Sequence, residues 1–147
     1  MKIVNHMRLS FLSNSSNEAF ARAAVAAFLL PLDPTVAELA DIKTAVSEAV
    51  TNAIVHAYPD TTGIVCIEAK ITEDHRVIVK IRDKGVGIAD IERAMEPLYT
   101  TAGGERAGLG FAVMQSFSDK VRVRSTPGKG TAVTLEKAIR SADGQER

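Results

Sequence analysis

Ser47-Glu48-Ala49-Val50-Thr51-Asn52-Ala53-Ile54-Val55-His56 carries a carboxylate and a carboxamide four residues apart, Glu48 and Asn52. On an α-helix that spacing puts both side chains on one face. The surrounding run, Thr35 to Ala57, has a periodicity of its own: Leu39, Ile42, Val46, Ala49, Val50, Ala53 and Ala57 share one apolar side. Glu48 and Asn52 lie away from that stripe. The plain alternative is a solvated helix face. Their neighbours, however, are Ala45, Ala49 and Val55 rather than the Lys and Glu of a wet surface. Polar groups among small apolar residues predict a helix that lines a cleft.

The 147 residues are enough for one domain, and 46% hydrophobic residues can fill its core. A formal net charge of zero gives no general pull toward nucleic acid or a membrane surface. The single cysteine, Cys66, excludes an internal disulfide framework and fits a reducing, cytoplasmic setting. The longest apolar run, Ala23 to Leu30, is too short to span a bilayer, and no signal-peptide pattern opens the chain.

Working outward toward the N-terminus, Asp33-Pro34 reads as an N-cap followed by proline in the first helical turn. Before it, Ser15-Ser16-Asn17-Glu18 has the capping-box pattern, Ser15 to the Glu18 amide, and opens a helix that stops before Pro31. That helix is expected to bury its Phe20–Phe28 side and leave Arg22 outward. Met7, Leu9 and Phe11 alternate with polar residues and predict a first strand.

Toward the C-terminus, Tyr58-Pro59-Asp60 ends the central helix, and strands follow over Ile64–Ile71 and Val77–Asp83. Val77, Val79 and Ile81 share a face at period two, and Asp83 is the next residue on it. A carboxylate on a buried row is costly unless something partners it. Gly85 and Gly87 follow at once and let backbone approach closely, so Asp83-x-Gly85-x-Gly87 predicts a ligand pocket. The stretch Pro97 to Gly110 is a long glycine-rich connection holding Thr100, Thr101 and Arg106; such loops are usually functional. Gly108-Leu109-Gly110 opens an apolar helix whose free amides suit an anion. Strands over Val121–Ser125 and Thr131–Leu135 complete the domain, residues 1–137, and 138–147 read as a polar, frayed tail. A phosphate-loop reading of Gly128-Lys129-Gly130-Thr131 fails because Val123 stands where its first glycine belongs. The histidines, His6, His56 and His75, are scattered, and no zinc spacing exists.

Glu48-x-x-x-Asn52, Asp83-x-Gly85-x-Gly87, a lid and Gly108-x-Gly110 stand in the order found in the ATP-binding fold of gyrase, Hsp90, histidine kinases and MutL, which the chain resembles over nearly its whole length. The stretches Thr44 to Ile54, Pro97-Leu98-Tyr99-Thr100-Thr101 and Gly108-Leu109-Gly110-Phe111 resemble the anti-sigma-factor serine kinases of Gram-positive bacteria. Glu18 to Arg22 and Leu32-Asp33-Pro34-Thr35 are similar to the sporulation, anti-sigma-F branch of that family.

The resemblance implies an α/β two-layer sandwich, a mixed sheet with helices on one face and ATP between helices and lid. It implies a homodimer that binds a sigma factor and phosphorylates a serine of an anti-anti-sigma factor. Glu48 is then the base, Asn52 a magnesium ligand, Asp83 and Thr131 the adenine contacts. Gly85, Gly87, Thr100, Thr101, Arg106, Gly108, Leu109 and Gly110 enclose the nucleotide, and Arg22 meets a protein partner. Three rivals stand beside this reading: an ATP-hydrolysing member of the superfamily, an ATP-gated binding module without catalysis, and a general-stress anti-sigma kinase of the same family.

Overall fold

In the computed structural model, which describes residues 2–91 and 106–140 (backbone alone for 106–109), the alternating segments form one five-stranded sheet. The strands are β1 (Ile3–Leu12), β2 (Ile64–Thr72), β3 (Arg76–Asp83), β4 (Lys120–Thr126) and β5 (Gly130–Ala138), in the order β1-β2-β3-β5-β4. Helices α1 (Asn17–Leu29), α2 (Val36–Asn52) and α3 (Arg106–Phe117) cover one face. The two-layer sandwich is as expected. The sheet is antiparallel throughout rather than mixed. The reason is topological. The connection from β3 through α3 skips one place before β4, and the hairpin strand β5 fills that place, so no two parallel strands are neighbours.

The core follows from period two in the strands and period 3.6 in the helices. Val65, Ile67, Ala69 and Ile71 of β2, and Val77, Val79 and Ile81 of β3, all face the helices and are buried. From α2 come Ile42, Ala45, Val46, Ala49 and Val50, close to the predicted stripe; Leu39 only packs at its margin. Met114 of α3 is wholly buried against them. The chain is packed beyond the expected end of the domain. Ile139 is 3% exposed and its amide bonds the His75 carbonyl at 2.8 Å, so residues 138 and 139 belong to the fold.

Helix α2 starts differently from the expected Asp33-Pro34 cap. Leu30–Leu32 forms a 3₁₀ turn that ends with Asp33 in the left-handed region, φ 51°. Thr35 is the true N-cap. Its Oγ1 accepts from the Glu38 amide at 3.0 Å, and Glu38 Oε1 accepts from the Thr35 amide at 2.9 Å. This reciprocal pair satisfies two otherwise orphaned donors. The box expected at Ser15–Glu18 does not form: the Glu18 amide donates to the Ser15 carbonyl at 3.3 Å rather than to its hydroxyl. Asn14 Oδ1 takes both the amide and the hydroxyl of Ser16, at 3.0 and 2.9 Å. Ser16, the residue at the cap, already has helical dihedrals, whereas a capping side chain needs an extended backbone.

Helix α1 also corrects an expectation. Its buried residues are Ala21, Val25 and Leu29, four apart, whereas Phe20 is 55% exposed. Phe20, Ala23, Ala27 and Leu30 therefore form an outward apolar stripe. Arg22 is partly exposed and pairs with Glu18 one turn back at 3.5 Å. The sequence places alanine or larger apolar residues on nearly every side of α1, so period alone could not tell which face is buried.

On the sheet's other face, Glu68 of β2 gathers Arg8 (2.7 Å), His6 (3.1 Å) and Lys70 (3.7 Å), tying β1 to β2. The Arg8 hydrogen bond is the main cause that holds the Glu68 carboxyl at about 2 rather than 4.5; burial opposes it, and His6 and Lys70 add to it. Because the folded value lies below the unfolded one, this carboxylate's contribution to stability is complete above pH 4.5 and is lost as pH falls toward about 2. In urea titrations across that window, Glu68→Gln is expected to flatten the fall in stability. An unchanged slope would mean that other carboxylates set it.

Candidate functional site

The site begins where α2 stops being a regular α-helix. Directly after Asn52, residues Ala53–Ala57 form a π-helical turn. Such turns leave backbone groups out of the regular ladder and cluster at functional sites. The Ala57 carbonyl accepts the Val86 amide at 2.9 Å, binding the end of α2 to the loop after β3. That approach requires Gly85: a Cβ there would stand 2.1 Å from the Ala57 oxygen. Gly87, φ +77°, passes equally close to the Thr126 carbonyl, and the Gly128 amide donates to Val86 oxygen at 2.7 Å. Tyr58 locks the corner. Its hydroxyl donates to the Ile64 carbonyl at 2.8 Å and accepts the Lys84 amide at 2.7 Å.

These ties frame a cavity of about 340 Å³. Ala49 and Asn52 of α2, with Ala53 of the turn after it, wall one side, Phe111 of α3 closes an end, and Gly87 and Ile88 form a lip. Its floor is the helix-facing side of the sheet at Ile81, Asp83, Thr131 and Val133. Asp83 Oδ1 accepts the Gly85 amide at 2.9 Å and the Thr131 amide at 3.2 Å. Oδ2 carries no hydrogen bond among the described residues. Burial pushes the Asp83 carboxyl above its usual 3.8, against the pull of those two amides. Beside it, Thr131 Oγ1 and Ser125 Oγ are 2.8 Å apart. Ser125 Oγ also lies 3.0 Å from the Gly130 carbonyl and accepts the Ile88 amide at 2.7 Å. Ser125 has one proton for two acceptors, so it governs whether the Thr131 hydroxyl meets a ligand as donor or acceptor.

Both amide atoms of Asn52, Oδ1 and Nδ2, are buried with no hydrogen-bond partner among the described residues. A buried carboxamide left in that state is costly, and it marks a place where a ligand completes the bonding. A Cβ on Gly110 would come within 3.1 Å of Asn52 Nδ2 and 3.3 Å of Glu48 Oε2. The first turns of α3 therefore stand directly against the two polar residues of α2.

Of the residues singled out by sequence, Asn52, Asp83, Gly87 and Thr131 line the cavity, Gly85 holds its rim, and Glu48 and Gly110 sit beside it. Arg106, Gly108 and Leu109 fall in the first turn of α3. Thr100 and Thr101 lie outside the described residues, and Arg22 is on α1, away from the cavity wall. Sequence reasoning missed Ser125, Ile88 and Phe111. For Ser125 a signal existed: it continues the inward row Val121, Val123 just as Asp83 continues Val77, Val79, Ile81. Ile88 and Phe111 had none, being ordinary apolar residues whose position depends on tertiary approach.

An apolar slot with one buried acceptor at its floor, and a glycine-opened helix beside an unsatisfied carboxamide, defines a nucleotide-binding domain. Residues 13–137 match the histidine kinase-like ATPase domain, a family that binds ATP. The chain is 56% identical over 140 residues to the anti-sigma F factor of Caldanaerobacter subterraneus, covering 95% of this chain and 97% of that one. To the anti-sigma F factor of a Thermoanaerobacter species it is 56% identical over 142 residues, covering 96% and 99%. Its fold matches the crystal structure of the RsbU and RsbW domains of Rv1364c from Mycobacterium tuberculosis with a TM-score of 0.68, at 20% identity over 92% of this chain and 33% of that one. The chain belongs to the anti-sigma F factor family of histidine kinase-like ATPase domains.

A raised Asp83 carboxyl gives the site a pH signature. An ionised Asp83 accepts a hydrogen bond from an amino group; the protonated form loses that ability on the oxygen that carries the proton. ATP affinity is expected to fall as pH drops through the raised value, and to do so at a higher pH than an exposed aspartate would cause. Asp83→Asn should bind ATP weakly with no such inflection. Calorimetry on both proteins isolates the Asp83 titration, since the ligand's own protonation is common to the two.

Proposed function

We propose that this protein is an anti-sigma factor that binds a sporulation sigma factor in the cytoplasm and uses ATP to phosphorylate a serine of its anti-anti-sigma factor. The observation that carries the reading is the pairing of Glu48 with the unsatisfied Asn52 beside Gly110. Family membership supports the ATP and sigma-factor parts; the assignment of each residue is our reading of the site.

Asp83 takes the adenine amino group as a hydrogen-bond donor, and Thr131 completes recognition of the base edge. Guanine presents a carbonyl at that place, which an ionised carboxylate repels, so ATP is preferred over GTP. The free amides in the first turn of α3, Arg106 to Leu109, together with the Arg106 side chain, receive the phosphates, and Gly110 keeps the approach open. Nucleotide binding is also the role we assign to Thr100 and Thr101, on the family resemblance of their stretch of sequence. Asn52 fits magnesium: its Oδ1 is a hard oxygen donor, buried and unsatisfied, and magnesium typically keeps few protein ligands alongside phosphate oxygens and water. The ion would supply neutralisation of phosphate charge.

Glu48, one turn before Asn52, holds the place of general base. The incoming serine oxygen forms its bond to the γ-phosphorus as the bond from that phosphorus to the β,γ-bridging oxygen breaks. The serine proton passes to Glu48, and ADP leaves. Positioning and electrostatics do most of this work in phosphoryl transfer.

Partner recognition is assigned to α1. Arg22 and the outward residues Phe20 and Leu30, 55% and 58% exposed, supply a charged fork on one flank of α1 and apolar area across its exposed face. That combination is typical of interface anchors. A second copy of the chain covers the edge strand β1, which exposes Val4 and Leu12.

Two substitutions separate these roles. Glu48→Gln keeps the shape and removes the base; phosphoryl transfer should fall by about 10²–10⁴-fold while ATP binding persists. Near-normal transfer by that variant would remove Glu48 from catalysis. Arg22→Ala should weaken binding of the sigma factor or the anti-anti-sigma factor by about 1–2 kcal/mol with ATP affinity intact. Normal binding of both partners would take α1 off the docking surface.

A further inference from the structure

The sheet's open face, opposite the helices, has a charge pattern that neither nucleotide binding nor α1 uses. Strand register sets Lys80 and Arg82 of β3 across from Thr134 and Ala132 of β5, and those across from Arg122 and Arg124 of β4. All six stand on the outward parity, since Val79, Ile81, Val133 and Leu135 between them are buried. Neighbouring strands are about 4.8 Å apart and same-face residues about 6.7 Å apart along a strand. The four cations thus mark the corners of a rectangle roughly 7 by 10 Å, with a floor of two short side chains.

None of the four pairs with a carboxylate among the described residues. The acids nearest them are already engaged. Glu68 turns to Arg8, His6 and Lys70, and Glu136 to Arg76 at 2.7 Å. In a chain of zero net charge, such a concentration is a local field and not a background.

We propose that this cation-lined trough over β5 docks a short acidic segment of a partner protein, independently of phosphoryl transfer and of α1. Three alternatives fit less well. Among the described residues, β3, β4 and β5 carry no aromatic side chain on this face on which single-stranded bases could stack. A long polyanion would run off the rectangle onto Glu136 and Asp119, and a sequence pI near 6.8 is far from that of nucleic-acid-binding domains. A second copy seated face to face would set these cations against one another. Carboxylates spaced along an extended or helical segment match the rectangle and end with it.

The test uses the full chain and a labelled oligoglutamate peptide at low ionic strength, with a duplex DNA oligonucleotide and phosphatidylserine vesicles as parallel probes. The peptide is expected to bind, and to weaken as salt rises. Arg82→Ala combined with Arg124→Ala should weaken it by about tenfold, and the double lysine variant at the same positions should largely restore it. ATP affinity and thermal unfolding should be unchanged in both. Absent peptide binding, or equal binding by the alanine variant, would overturn the proposal. So would tighter binding of the DNA or of the vesicles, or dissociation of a dimer caused by the two alanine substitutions.

Discussion

The helix-facing side of the sheet is apolar row by row until it reaches the line Asp83, Thr131, Ser125, and there it stops. Register makes these three direct cross-strand neighbours, Asp83 to Thr131 to Ser125. Each ends an inward row whose neighbouring residues are apolar: Val79 and Ile81 before Asp83, Val133 and Leu135 after Thr131, Val121 and Val123 before Ser125. Three polar side chains at one end of a core are tolerable only if they satisfy one another or a ligand. The protein does part of this internally, through two amides on Asp83 Oδ1 and the Ser125–Thr131 contact. The remainder, Asp83 Oδ2 and the buried amide of Asn52, faces the same decision from two elements at once. The cavity lies between them because neither the sheet nor the helix completes its own bonding there.

That arrangement holds only because backbones approach unusually closely around it. Gly85 against the Ala57 carbonyl, Gly87 against that of Thr126, and Gly130, φ +119°, against that of Asp83 leave no room for a Cβ. Three loops are thus drawn onto the end of the sheet, and the hydrogen bonds that secure them run between backbone groups or through the side chains of Ser125, Tyr58 and Asp83. The π-helical turn is the counterpart in α2: it directs the Ala57 carbonyl to the Val86 amide. Binding-site shape here is a backbone property, and the side chains supply the chemistry.

What sequence made legible follows the same division. Strand parity identified Asp83, since a carboxylate on a valine row conflicts with burial, and helical period placed Glu48 and Asn52 together. The same parity pointed to Ser125, but a serine near a strand end conflicts with nothing and passed unnoticed. Expectations failed where two local patterns competed. Ser15–Glu18 and Thr35–Glu38 both match a capping box, and the path of the backbone decides between them: the chain enters α1 already helical at Ser16 but enters α2 extended at Thr35. The buried face of α1 was misjudged because large aromatics were taken to lie inward, whereas Ala21, Val25 and Leu29 fit the tight packing against α2. The antiparallel sheet could not be read from element order, because skipping one strand position is a choice made between elements.

Net charge illustrates how far a sum can conceal a surface. Equal numbers of acidic and basic residues give no general long-range pull toward nucleic acid or membrane. Alternation in a strand, however, sorts residues by face with no regard to the total. On β3 and β4 every second residue turns toward the core and, up to Asp83 and Ser125, is apolar, so the outward positions are free to carry any charge, and at four adjacent ones they carry lysine or arginine. Many of the balancing acids lie elsewhere: Glu38 and Asp41 on α2, Glu48 at the cleft, Asp60 and Asp90 in loops. A zero sum distributed in this way gives a polarised molecule. Salt screens its field beyond about 8–10 Å, so the polarity acts at contact distance, in choosing which protein surface can be seated against which face.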